Sequence, residues 1–401
     1  MKNTVLLACI GFLGFVLGCR DPLALDPLPP APKSIAAIES HPRFLWKFDL
    51  GDASSSSPTI GHDGTVYIGS RAKDPYEGIL YAINPKSGRK KWEFRTGGSG
   101  IFSNPVVGAD GTVFISDDRK VFALDGKTGV KKWGAETIGQ TMSKELALDA
   151  NGTLIAIGGT ICALNSKTGE KKWETDSIGY MGYPPSFGVD GTFYITYGHR
   201  IFAHSIVDGS EIWRSTQESY TGTPALAPDG TIFIGTGTKG GSTKSKIYAL
   251  DSKTGEQKWF YQTKGNMVDA DPVIGTDGTV YVSSGDSFMY ALDGKTGEKK
   301  WEFEANQWRS RSAAIGTDGT VYYGTDDYSV YALNGKTGAK LWEFPTGSII
   351  QTSPALSQDG TLFIASNDYH LYAIKTDSKG LAKSSWPMSG QNNQRTNHAA
   401  K

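Results

Sequence analysis

The chain has 401 residues, 41 of them basic and 41 acidic, so its formal net charge is zero. That balance excludes a charge-driven nucleic-acid binder and a protein held electrostatically on an anionic bilayer, since both need a basic face. Fifty glycines describe a chain that turns often, and three cysteines, two of them within the first nineteen residues, leave no disulfide framework.

Met1 to Cys19 carries one lysine, Lys2, then an apolar run from Thr4 to Gly18. That run is too short for a bilayer span and matches a signal-peptide core. The ending Val16-Leu17-Gly18-Cys19 resembles a bacterial lipobox, with valine where leucine is usual. The resemblance implies cleavage before Cys19 and acylation of that cysteine; an ordinary secretory signal or a short anchor is the alternative. Arg20 stands where an aspartate would retain such a lipoprotein at the inner membrane, so the resemblance implies the outer membrane. The protein is then anchored to the membrane rather than spanning it. Residues 20–42 hold six prolines and read as a stiff tether.

From residue 43 the chain repeats itself. Ala82, Ala123, Ala163, Ala203, Ala249, Ala291 and Ala332 each precede a tryptophan by ten residues: Trp92, Trp133, Trp173, Trp213, Trp259, Trp301 and Trp342. Between them lies a turn such as Asp293-Gly294-Lys295-Thr296-Gly297, flanked by β-prone residues, which predicts an antiparallel hairpin. A second phrase, of the type Asp277-Gly278-Thr279-Val280, starts at Asp63, Asp110, Asn151, Asp190, Asp229, Asp277, Asp318 and Asp359. Eight units spaced 39 to 48 residues apart, each of short strands, predict an all-β, eight-bladed propeller of four-stranded antiparallel blades. In the first unit the strands are expected at Ser57–Gly61, Thr65–Gly69, Ile79–Asn84 and around Trp92–Phe94.

The eighth unit lacks its last strand in place, while an orphan strand, Arg43-Phe44-Leu45-Trp46-Lys47-Phe48, precedes the first. Pairing the orphan with the strand of Tyr372 closes the ring and removes the open edge. Trp386 is the rival for the eighth outer tryptophan, although Pro387 follows it directly. The expected organisation is a signal peptide (1–19), a proline-rich tether (20–42), the propeller (43–376) and a polar tail (377–401) that lies across the disc or is disordered.

Ala291-x-Asp293-x-x-Thr296-Gly297-x-x-x-Trp301 resembles the tryptophan-docking motif of pyrroloquinoline-quinone-type propellers, and the pattern returns at Ala123–Trp133 and Ala249–Trp259. Asn165, Asn334 and Asn84 replace the aspartate in three copies, and Ala203–Trp213 is the weakest match. The resemblance implies that Trp46, Trp92, Trp133, Trp173, Trp213, Trp259, Trp301 and Trp342 pack between neighbouring blades. It also implies one of two functions. One branch holds quinoprotein dehydrogenases with quinone, calcium and a catalytic aspartate. The other is non-catalytic and includes the lipoprotein subunit of the outer-membrane barrel-assembly machinery. Length, lipobox and compact units match the second branch, and no adjacent cysteine pair is present.

Other patterns carry less. Gly-Lys-Thr at Gly126, Gly294 and Gly335 lacks the glycine five residues upstream that a phosphate loop needs, and its context is a hairpin. Lysines such as Lys131 and Lys132 read as a solvated rim. The six histidines have no metal-ligand spacing. Cys162 takes a slot that is aromatic in the other units and reads as a packed thiol.

Function therefore rests on the face that carries the connections between blades. There the sequence places Lys144, Glu145, Tyr180, Tyr183, Tyr220, Asp269, Asp271, Trp308, Arg309 and Arg311. Of these, Tyr183, Tyr220, Asp269, Asp271, Trp308, Arg309 and Arg311 are the candidates for gripping a partner, with Trp308 as anchor. The acidic pair and the arginines come from neighbouring units and could instead pair with each other. Two long loops, Ser70–Gly78 and Thr236–Lys246, either add binding surface or are tolerated insertions. The expectation is a monomeric scaffold without cofactor or metal that binds protein in the bacterial envelope. A quinone-dependent dehydrogenase and a small-ligand sensor using the central channel are the alternatives.

Overall fold

A computed structural model describes residues 33–397 except 53, 55, 74–75, 99, 102, 137–144, 179–181, 217–218, 238–243, 266, 269 and 306–310. Eight four-stranded antiparallel sheets are stacked around one axis. Blade 6 is typical: Val273–Ile274 innermost, then Thr279–Ser283, Phe288–Asp293 and the rim strand Lys299–Glu304. The two middle strands are buried almost throughout because each of their faces meets a neighbouring blade, whereas the rim strand is largely exposed or half-buried. This is why the middle strands read as continuous apolar runs rather than alternating ones.

Blade 8 takes its rim strand from the start of the chain. Phe44–Asp49 pairs antiparallel with His370–Lys375, with Trp46 opposite Ala373. The ring is closed by the N-terminal strand, and Trp46 holds the eighth rim position. In front of that strand, the short helix Ile35–Glu39 is capped by the Ser34 hydroxyl and buries Ile38 against Phe344 and Tyr372.

What holds one blade to the next is a tryptophan lying on a glycine. Trp259 of blade 5 donates its indole N–H to the carbonyl of Gly294 in blade 6 at 3.0 Å. The turn glycine there, Gly297, has φ of +76°, and a Cβ on it would sit 2.7 Å from the Trp259 ring. The same docking joins Trp46, Trp92, Trp133, Trp173, Trp213 and Trp301 to the turn of the following blade. Thus the glycine of Thr-Gly is required twice, by backbone conformation and by the indole face above it. Within its own blade each of seven indoles meets a ring of the second strand at 5.6 to 6.0 Å, from Trp46 with Phe363 to Trp342 with Tyr322, whereas Trp173 of blade 3 stacks on Phe193 of blade 4 at 6.2 Å.

The blade 7 to blade 8 joint is the exception, because residues 376–383 do not form the turn. There the Arg43 guanidinium lies over Trp342, 4.6 Å from the ring centroid.

Two expectations need correcting. The lysine before five of the rim tryptophans is not simply solvated: Lys91, Lys132, Lys172, Lys258 and Lys300 each reach the threonine at the start of their blade's second strand, at 2.6 to 2.8 Å. The segment Ser70–Gly78 is not a loop either. Val66–Lys73 and Tyr76–Ile83 pair as far as Lys73 opposite Tyr76, so blade 1 carries a long hairpin rising from one face. The backbone pairing simply continues past the point where the other blades turn. Arg71 braces it to Asp52 at 2.9 Å, and Arg95 to Glu77 at 2.6 Å.

Candidate partner-binding face and the filled channel

The connections from one blade to the next and the turns between second and third strands share one face of the disc. On it the structure places Tyr183, which is 36% exposed. Asp269, Trp308 and Arg309 lie outside the described residues, as do Lys144 and Tyr180. Arg311 is half-buried, and its carbonyl accepts from the Ser283 hydroxyl at 3.2 Å. Tyr220 lies at that face, where its N–H donates to the His199 carbonyl, but its side chain is turned into the core. It is 2% exposed and packs edge-on against Tyr248 at 5.4 Å, because the innermost strand of blade 5 begins early, at Tyr220.

Two tyrosines on this face escaped the sequence reading. Tyr328 and Tyr369 occupy the turn between second and third strands of blades 7 and 8, with φ of 68° and 71°. A bulky residue in the left-handed region is uncommon. The conformation aims their carbonyls at the end of the rim strand, where they accept from Thr346 at 2.7 Å and Leu50 at 2.8 Å. Asp-Tyr where a turn ordinarily carries Asp-Gly was the available signal. Turn aspartates latch the face: Asp368, beside Tyr369, accepts from the Gly347 N–H and the Tyr372 hydroxyl, and its counterpart in blade 6, Asp286, from the Gly265 N–H and the Tyr290 hydroxyl. Burial and the Asp286 charge push the Tyr290 hydroxyl well above its usual range. Tyr183 on blade 4 and Tyr369 on blade 8 sit across the ring from one another, so the exposed aromatics form a rim and not a single pocket.

The channel is filled by the chain's own C-terminal segment. From Trp386 onward it follows the inner wall of the ring. Ile274 and Ile315, on the innermost strands of blades 6 and 7, donate their N–H groups to the carbonyls of Trp386 and Pro387 at 2.7 and 2.8 Å. Ile60, Val107, Leu148 and Phe187 of blades 1 to 4 donate in turn to Asn393, Gln394, Thr396 and Asn397. At blade 8 the Asn393 amide reaches the Leu356 carbonyl at 2.8 Å. Trp386 is fully buried beside blades 5 and 6, so it is a channel residue and not an eighth rim tryptophan. A small-ligand sensor working through this channel would find the axis occupied.

At the centre lies Arg395, 1% exposed, whose guanidinium donates to the carbonyls of Pro58, Ser389 and Ser353 at 2.8 to 3.2 Å. Burial pulls it down to about 10, opposed by the charge of Asp271. Asp271 is turned inward: its carboxylate accepts from the Thr223 N–H at 2.8 Å and the Ser389 hydroxyl at 2.7 Å. A small cavity beside them is lined by Glu145, Thr223, Ser389, Arg395 and Asn397. Burial, and then the Asp271 charge, push the Glu145 carboxyl up to about 7. Arg395 takes three carbonyls and no carboxylate directly, so this is a structural polar core with no nucleophile and base set against each other. Among the described residues no group of three or more His, Cys, Asp or Glu side chains is placed to hold a metal ion. Cys162 is buried within the core shared by blades 2 and 3.

Comparison with known proteins follows the same lines. The crystal structure of BamB from Moraxella catarrhalis superposes with a TM-score of 0.66 at 19% identity, covering 83% of this chain and 99% of that one. The computationally designed Ika8 protein superposes with a TM-score of 0.67 at 16% identity, covering 83% and 100%. At such identities these likenesses speak for the fold alone. No curated protein sequence gives a significant match. The family profile described as outer membrane protein assembly factor BamB matches residues 33–180 and 198–395, and the chain therefore belongs to that family.

Proposed function

We propose that the protein is a non-catalytic scaffold of the bacterial envelope, anchored through acylated Cys19 to the outer membrane and facing the periplasm. On this reading it binds a protein partner in outer-membrane protein assembly. The observation that carries the reading is family membership over nearly the whole ring. The build of the disc supports it. Seven docked indoles and a closed strand make a rigid platform, so the partner pays little ordering cost on binding. The rim of one face offers exposed tyrosines, Tyr183 and Tyr369, and the blade 1 hairpin rises on the blade next to Tyr369. Asp269, Trp308, Arg309 and Arg311 belong to the same proposed surface. The anchor is tested by Cys19→Ser, which should move the protein into the soluble periplasmic fraction; persistence in the membrane fraction would contradict it. The non-catalytic role is tested by adding pyrroloquinoline quinone with calcium to purified protein. No bound chromophore and no dye reduction are expected, and a stoichiometric chromophore would overturn the role.

A further inference from the structure

The C-terminal segment differs in kind from the rest of the ring. Each of the eight sheets has its four strands without it, so residues 384–397 complete no blade. They reach the channel through Lys383, which is exposed, and then bind six blades through carbonyl oxygens that accept N–H groups at one equivalent position of each innermost strand. Backbone pairing to a strand edge gives affinity without demanding particular side chains, and a few pockets then supply selectivity. Two side chains fill that second role here. Trp386 is fully buried in the core cluster that also holds Leu226 and Ile274, and Arg395 spans three carbonyls contributed by blade 1, blade 8 and the segment itself. The segment also turns on itself with left-handed Gln391, Arg395 and Asn397, a shape that suits a ring and no sheet.

We propose that the inner ring of strand ends is a peptide-receptor site and that residues 384–397 are its tethered ligand. The partner it fits is a second peptide of the same chemistry: Trp-Pro, then Ser-Gly with a left-handed glycine, and an arginine nine positions after the tryptophan. The natural source committed to here is the C-terminal segment of a second copy of this chain, exchanged between molecules. The site is on the axis, away from the tyrosine rim, and does not depend on the partner-binding reading above.

The test keeps the full chain and inserts a protease site after Lys383. After cleavage, a fluorescent synthetic peptide of residues 384–397 is added in excess, and its uptake is followed by anisotropy and native mass spectrometry. Uptake of one labelled peptide per chain is expected, displaced by unlabelled peptide, with the peptide carrying R395A binding at least about tenfold more weakly for loss of a buried charged donor. Three outcomes overturn the proposal. The cleaved protein could stay folded and refuse exchange, which makes the segment a permanent part of the core. It could unfold as the segment leaves and take up no peptide. It could bind the R395A peptide as well as the parent sequence.

Discussion

Blades 4 and 6 share a plan and differ in how much of it they use. In blade 6, Lys300 donates to Thr279 at 2.7 Å, and Asp286 gathers two N–H groups from the preceding connection and the Tyr290 hydroxyl. Blade 4 has Ile212 where that lysine would be, 55% exposed, and Gly198-His199 where the aspartate turn would be. Its third strand carries His204 in place of Leu292. That imidazole is buried, stacked on Phe193 at 5.3 Å, and bonded to the Gly209 carbonyl at 2.9 Å and the Tyr197 hydroxyl at 3.3 Å. Yet both blades keep the indole on the glycine: Trp213 reaches Ser252, and Gly209 lies beneath Trp173. Between these two blades the polar clamps vary while the wedge is kept.

Removing what the two blades share should produce the largest effect. Trp301→Ala should cost about 3–5 kcal/mol in denaturant unfolding, and Trp213→Ala a comparable amount. A loss under about 1 kcal/mol at Trp213 would mean that blade 4 stands by other means. Next comes a clamp that blade 6 has and blade 4 lacks. Asp286→Ala should cost about 1.5–3 kcal/mol, since it orphans two N–H groups and the Tyr290 hydroxyl.

The pH dependence separates the two regions further. Burial lowers the pKa of His204, so the unfolded chain binds the proton more readily, and this contribution to stability falls as pH drops below about 6.5. His204→Leu, the residue blade 6 uses, should flatten the melting temperature between pH 7.5 and 5.5. Glu145 works in the opposite sense. With its carboxyl pushed up to about 7, its contribution is complete below the unfolded value and is lost as pH rises through 7. Glu145→Gln should therefore raise the melting temperature more at pH 8 than at pH 5. The smallest effect is expected from Ile212→Lys, which restores the surface lysine and should shift stability by no more than about 0.5 kcal/mol.

The parts that could be read from sequence are those the chain says more than once. The wedge recurs at a fixed spacing from Ala82–Trp92 onward, so the blades, their number and the closing role of Trp46 follow from period and turn chemistry. The inner belt occurs once. Its contacts run from backbone N–H to backbone carbonyl and leave no periodic trace, so a stretch rich in Asn, Gln and Ser reads as a polar tail. Trp386 and Arg395 were the hints, since a polar tail left in solvent has no use for a buried indole. Tyr220 was misread for a related reason: blade 5 starts its inner strand several residues early, and no repeat pattern marks where a strand extends. Asp271 was read as a surface acid because the donors it serves, Thr223 and Ser389, are remote in sequence.

Binding on one face of the disc is the centre of the account, and site-specific photocrosslinking in living cells measures it directly. A photoreactive residue at Tyr183 should yield a discrete adduct with an envelope protein, while the same residue at Val207, 81% exposed on the opposite face, should yield none. An adduct from Val207 with none from Tyr183 would contradict it.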